Sequence, residues 1–501
     1  MSGVLAKWRS FALAVSVTII TGCGTENGCT GSGLSGFLDP ANPLQPHPDA
    51  LTSDEAYRLL RRATFGAKPE DVTRAVERGL TATVDELLTD QPLPAAAETL
   101  AASFEDDIPK RWLVHMLESP SPLRDRLALF WHDRFATSRR VLSGNDRSLA
   151  IDHWAMLRQH ALGNYRDFLA ALTIDPMMLI WLDGANSPKD KPNENYAREF
   201  WELFTLGRDI LYTEADIQES ARAFTGTTLL RESGQPARPI FDILNHDESL
   251  KSIFPERAAP ANFDFQGIID LTLAQPEAAR YVAKNLFTLF IHDHPSDVQV
   301  QVLADQFVEG NFEIAPLVRR LLMSNEIFRD EAMGNQVASP VEHVVGVFRT
   351  LDVHLESEDS QGFQLTRLVQ DLAAAGQDLL NPPGVEGWGE DLAWMEDQWV
   401  LNRVKALGRT MEFGPNRTAD LPYHLLPPTS RWDQREIRRE IVSAVADVFH
   451  LPLTDEERDI YVEVLDQNGH RAFHLEQPDR QTQHVQEMIR LMAMDERVIG
   501  R

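Results

Sequence analysis

The stretch from Asn186 to Gly207, NSPKDKPNENYAREFWELFTLG, leaves the chain little conformational choice. Pro188 and Pro192 bar a helix before Asn193, whose side-chain oxygen is then placed to cap one, and Glu194 follows at the positive end of its dipole. At 100° per residue Tyr196, Ala197, Phe200, Trp201, Leu203 and Phe204 gather on one arc, and Glu194, Asn195, Arg198, Glu199, Glu202 and Thr205 on the other. Gly207 ends the helix. An amphipathic helix of this kind needs an apolar layer to lie on, and the helical patterns on both sides of it supply one.

The polar arc admits two readings. Glu194, Arg198 and Glu202 follow at i, i+4 and i+8 with Glu199 beside them, which spacing alone reads as a solvated face with ion pairs worth a few tenths of a kcal/mol each. An ordinary solvated face leans on Lys, whereas this arc mixes Asn195, Arg198 and Thr205 with three Glu and has none. Asn, Arg and Glu each offer several directed hydrogen bonds, so the expectation is a buried network met by the FWHDRF segment near residue 132 and by the exit of a hairpin near residue 246. No His lies three or four residues from a Glu here, so neither a di-iron pair nor a zincin motif is present.

NENYAREFWELFTLG, with YTEADIQESARAFTG (Tyr212 to Gly226) just after it, resembles the signature of a large bacterial family, domain of unknown function 1800 (DUF1800). Further pieces agree in order: LLRRATFG, LFWHDRFATS, HALGNYRDFLAALTIDPMMLIWLDGANS, His246-Asp247 followed by Lys251, ARYVAKNLFTLF, SPVEHVVG and GQDLLNPPGVEGW. The resemblance covers roughly residues 51 to 410. It implies no established activity. In this family the gene often lies beside one for the DUF1501 family, which resembles sulfatases and phosphatases, so it implies a possible protein partner of the DUF1501 family.

A formal net charge of −28 argues against nucleic acid and against adhesion to anionic lipid, both of which reward clustered Lys and Arg. Cys23 and Cys29 are the only cysteines, so no disulfide framework holds the chain. Lys7 and Arg9 followed by the apolar run Phe11 to Ile20 read as a signal peptide, and Ile20-Thr21-Gly22-Cys23 resembles a bacterial lipobox. The expectation is a lipid on Cys23 that anchors the protein to a membrane in the bacterial cell envelope, outside the cytoplasm. Gly24 matches the outer-membrane sorting pattern of a Gram-negative cell.

The expected domains are a signal peptide over 1–22, a flexible tether over 23–52, a helical domain over 53–411 and a C-terminal helical extension over 412–501 packed on it. Ser53 is the expected cap of the first helix. Leu123 to Phe135 is a helix with Leu127, Phe130, Trp131 and Phe135 inward and His132 near the edge of the apolar stripe. GTTLL (226–230) and PIFDIL (239–244) read as a small β-hairpin, so the fold class is mainly α: one large multi-helix domain with a single hairpin.

Three segments supply polar groups able to do chemistry. They are His132-Asp133, the face carrying Arg198, Glu199 and Glu202, and His246-Asp247. Convergence of His132, His246, Asp247 and Glu199 would suffice for a divalent metal, with Glu199, Glu202, Arg198 and Asp133 as candidate catalytic groups of a metal-assisted hydrolase. The plainer alternatives are a core histidine at 132 satisfied by one hydrogen bond, and a turn capped by Asp247. There is no GxSxG elbow and no nucleotide-binding motif, and an N-cap role is enough for Ser339. The reading that best joins signal, tether and acidic surface is a lipid-anchored protein that binds or assembles with an extracytoplasmic partner.

Overall fold

The computed structural model describes residues 44–104, 107–329, 336–353, 358–408, 435–466 and 478–500. The expected signal peptide, Cys23, Cys29 and the proline-rich stretch 412–431 lie outside these residues. The chain is mainly α, as its periodicities demand: helices alternate with short capped turns, and the described strands form one two-stranded sheet. None of the described helices is long and apolar enough to cross a membrane.

In chain order the helices that frame the rest are α1 (Ser53–Ala63), α2 (Pro69–Leu88), α3 (Ile108–Glu118), α4 (Pro122–Arg134), α5 (Leu149–His160), α6 (Tyr165–Thr173), α7 (Pro176–Trp181), α8 (Glu194–Glu199) and α9 (Glu214–Phe224). Then come β1 (Thr227–Leu230) and β2 (Arg238–Phe241). After the hairpin run α10 (Phe265–Leu273), α11 (Pro276–Phe290), α12 (Asp297–Glu309), α13 (Ile314–Leu322) and α14 (Pro340–Thr350). Later helices include α15 (Asp397–Gly408), α16 (Arg435–Val448) and α17 (Pro478–Ala493).

Thr52, one residue before the expected Ser53, caps α1 through a capping box with Glu55. Residues 44–52, expected to belong to the tether, are docked instead. Leu44 and Leu51 are buried, His47 N–H donates to Met323 O at 2.8 Å, and Asn325 N–H donates to Gln45 O at 2.7 Å. Two well-spaced leucines and paired backbone dock this piece on the body. Gly79 kinks α2 at φ 81°, and Ser339 forms the capping box of α14.

Two apolar cores meet along α4. One holds Trp131, Tyr165, Phe168, Phe200, Trp201 and Phe204; the other joins α3 and α14 to α16 and α17. Leu127 and Phe130 face the first and Leu129 the second, so α4 is buried almost all round, its Asp125, Arg126 and His132 included. His132 is therefore fully buried, not on the margin of a stripe. Tyr57 donates to Phe449 O at 2.9 Å, and His343 Nε2 donates to Ala493 O at 2.8 Å, which ties α1 and α14 to the last helices.

The hairpin pairs Thr227 with Phe241 and Leu230 with Arg238, antiparallel. It is closed at its open end by Asp242 N–H to Gly226 O at 2.7 Å, and Gly226 has φ 86°. Ile243 and Leu244, expected in the strand, instead begin a 3-10 turn (Ile243–Asn245) capped by the side chain of Asp242.

Candidate functional site

Asn193 caps α8 as expected, but the helix changes character after Glu199. Phe200 to Thr205 is a π turn: Thr205 donates its hydroxyl to Phe200 O at 2.6 Å, and the N–H groups of Leu206 and Gly207 share Trp201 O at 3.0 Å. π turns of this sort recur at functional positions. The widened turn carries Thr205 out of the polar arc and buries it, while Gly207 at φ 93° stops the helix. Tyr196 hydroxyl to Thr173 Oγ1 at 2.9 Å and Trp201 Nε1 to Thr272 Oγ1 at 3.1 Å anchor the apolar side.

The polar arc is a half-exposed ion network, which corrects the expectation of a buried one. Arg198, 33% exposed, lies 3.5 Å from Glu194, which is 39% exposed, and 3.8 Å from Glu202. It also reaches across to Glu214 on α9, with Nη1 to Oε2 at 3.0 Å. Glu202 lies 3.3 Å from Arg208, whose Nη2 is 2.7 Å from Glu386. The partners thus come from α9 and from the loop around Glu386, not from FWHDRF or the hairpin exit. Solvent reaches the face because α9 packs beside it without covering it. Glu199 is half-buried; burial and the neighbouring Glu202 raise its pKa, against the pull of Arg208 and Arg198.

The loop NPPGVEGW joins this face to α4. Trp388 N–H donates to Asp133 Oδ1 at 2.8 Å, and Arg134 pairs with Glu390. Gly387, at φ 86°, packs directly on Asp133, where a Cβ has no room. Burial pushes the Asp133 carboxyl up to about 6, with Arg134 and the Trp388 N–H opposing. Tyr281 of α11 donates to Leu203 O, lies against Gly207 and feels the charge of Arg134. FWHDRF and the signature helix therefore meet directly on their apolar sides, where Phe135 and Phe204 pack edge to face at 5.3 Å, while their polar groups are linked through the NPPGVEGW loop.

Behind Asp133 lies a buried imidazole pair. Among the described residues neither ring nitrogen of His132 has a partner in hydrogen-bonding geometry, which differs from the single bond expected for a core histidine. Its ring stacks on Trp388 with centroids 5.0 Å apart, meets Trp112 edge-on at 5.6 Å and stands 6.1 Å from His153. Burial, helped by His153, holds its pKa well below the usual range against a weak pull from the backbone at Thr137. His153 is fully engaged: Nδ1 is 2.8 Å from Asp175 Oδ1, and Nε2 is 3.0 Å from Thr137 Oγ1. Asp175 Oδ1 also accepts Met178 N–H at 2.8 Å and so caps α7. Sequence reasoning passed over this Asp–His–Thr relay; the one available sign was Asp175-Pro176, a helix start inside the family-like segment.

His246 and Asp247 form a separate staple. His246 Nδ1 donates to Thr225 O at 2.8 Å, and Asp247 accepts Arg222 Nε at 2.8 Å and Ser249 N–H at 2.9 Å. The Arg222 guanidinium holds the Asp247 carboxyl far below its ordinary range. Lys251, fully buried, donates to Asp247 O and to Asn262 Oδ1 at 2.9 Å. The candidate ligands His132, His246, Asp247 and Glu199 thus sit in different neighbourhoods. Among the described residues no three His, Cys, Asp or Glu come together as a metal would need.

A family model described as "Protein of unknown function (DUF1800)" matches residues 58–494, which takes in the last helices as well as the signature. No curated protein and no solved structure matches the chain.

Proposed function

The chain belongs to the DUF1800 family, and from that starting point we propose that it is an exported, lipid-anchored protein that holds a protein partner outside the cytoplasm. The observation that carries this reading is the segment leaving the hairpin. Phe241 (48% exposed), Ile243 (54%), Leu244 (78%) and Leu250 (66%) present four large apolar side chains within ten residues. Apolar groups concentrated in this way mark interaction surfaces. The segment is also rigid: the Asp242 cap, the Arg222–Asp247 pair and the buried Lys251 hold it, so little ordering is left to cost affinity on binding.

Cys23, at the expected lipobox, supplies the anchor in this reading, and a DUF1501-family protein is the first partner to look for. Co-purification from membranes should recover a partner with the wild-type chain and lose it with Phe241→Ser plus Leu244→Ser. Recovery of the lipoprotein alone, or of the same proteins with both forms, would rule the reading out.

A metal-assisted hydrolase is the second reading. In its favour are two carboxyls raised by burial, Asp133 and Glu199, on either side of the NPPGVEGW loop, since a raised carboxyl suits general acid–base work. His132, His246, Asp247 and Glu199 would have to be drawn together from separate places to hold the ion. Elemental analysis of untagged protein tests it, and metal no higher than background removes it.

A further inference from the structure

A groove of about 870 Å³ opens between the start of α6, the end of α10, the start of α11 and the length of α12. Its volume is that of a ligand site rather than a packing defect. Leu273, Ala279, Ala304 and Phe312 line it with apolar surface, and Asp305 and Glu309 of α12 stand at its edge. The shape is set in advance. Asn311 and Phe312 both take left-handed backbone, at φ 52° and 62°, and are held there by Asn164 Nδ2 to Asn311 O at 2.7 Å and Tyr165 N–H to Phe312 O at 2.9 Å.

The electrostatics are one-sided. Arg166, the one cation lining the groove, is neutralised by Asp270 through bonds of 2.5 and 3.0 Å. Asp305 accepts an amide N–H from Gln301 at 2.7 Å, and among the described residues neither Asp305 nor Glu309 makes an ion pair. These two carboxylates stand at i and i+4, where like charges repel. Glu309 also ends α12 at the negative pole of its dipole, with no basic residue in the last turn to offset it. An apolar floor beside two uncompensated carboxylates at a helix C-terminus is complementary to a cation carried next to an apolar group.

We propose that this groove docks an extended segment of a protein partner that sets a lysine or arginine beside a large apolar side chain. The proposal rests on the reading of the chain as a partner-binding protein, but the groove shares no residue with the 241–250 segment, so the two can fail separately.

The test uses the full-length protein in detergent and a fluorescein-labelled Phe-Lys-Leu-Lys peptide, with Phe-Glu-Leu-Glu as its control, read by anisotropy. The expected result is saturable binding of the basic peptide that weakens with added salt, with the acidic one bound about tenfold more weakly or worse. Asp305→Lys with Glu309→Lys, two substitutions on the solvent side of α12, should reverse that preference while the far-UV circular dichroism stays unchanged. Phe241→Ser with Leu244→Ser should leave it intact. Equal affinity for the two peptides, no saturable binding, or unchanged preference in the charge-reversed protein would overturn the proposal. So would saturable binding of an uncharged oligosaccharide, or self-association through the groove, in place of the basic peptide.

Discussion

His153 is locked to Asp175, Nδ1 to Oδ1 at 2.8 Å, with both side chains shut away from water. The same carboxylate caps α7, and the far side of the ring meets Thr137, so three hydrogen bonds through this pair join α5, α7 and the residues after α4. Asp175→Ala leaves the imidazole without its partner and uncaps the helix, and should cost about 2–4 kcal/mol in urea unfolding, whereas Asp175→Asn keeps the cap and should cost less. An alanine variant within 1 kcal/mol of wild type, on the scale set by exposed pairs, would show the relay to be dispensable.

Arg198 gives the opposite expectation. Its partners Glu194, Glu202 and Glu214 are near water, so Arg198→Ala should change stability by less than about 1 kcal/mol, and Glu202→Ala likewise. A loss of several kcal/mol in thermal or urea melts would mean that the face is covered in the folded protein after all.

Asp133 makes stability depend on pH in a definite direction. Its carboxyl is raised from 3.8 to about 6, so between these values the folded state keeps a proton that the unfolded chain has lost. The stabilisation tied to that proton is complete below pH 3.8 and disappears as pH rises through about 6. Asp133→Asn keeps the acceptor for Trp388 N–H and never ionises. It should match wild type at low pH and exceed it at pH 8 by about 2 kcal/mol, after allowing for partial exposure. Unfolding free energies of the two proteins that run parallel across pH 4 to 8 would refute this.

Gly346 lies backbone to backbone against Phe65 and Gly66, and a Cβ on either glycine would collide with a carbonyl oxygen of the other segment. Gly346→Ala should therefore force α14 away from the end of α1 and cost about 1–3 kcal/mol or more, since backbone cannot turn aside as a side chain can. A differential-scanning melt unchanged from wild type would show that the contact is looser than it looks.

The anchor is tested by chemistry at two cysteines. Cys23→Ser should abolish labelling by a palmitate analogue and leave unprocessed or soluble protein, and Cys29→Ser should change neither. Persistent labelling of the Cys23 variant would remove the anchor from the proposed function.

Local pattern made much of this fold legible. The caps at Asn193 and Ser339, the stop at Gly207 and the pairing of the GTTLL and PIFDIL segments in a hairpin are dictated by residues within a turn or two of the event, and each is found in the structure. What surrounds a polar side chain is a different kind of fact. Arg198 read as buried because its arc lacks Lys, yet α9 lies alongside and leaves it wet; His132 read as marginal because α4 has a visible stripe, yet a second core closes over its other side. The pairing of His153 with Asp175 spans 22 residues and has no periodic trace. Helix starts, stops and apolar faces come from the sequence itself, because backbone hydrogen bonds and burial act over neighbouring residues. Which charges share water, which imidazoles lose it, and that the polar groups of FWHDRF face the NPPGVEGW loop while Phe135 packs on Phe204 of the signature helix were decided by tertiary packing, because desolvation depends on every element that closes around a group.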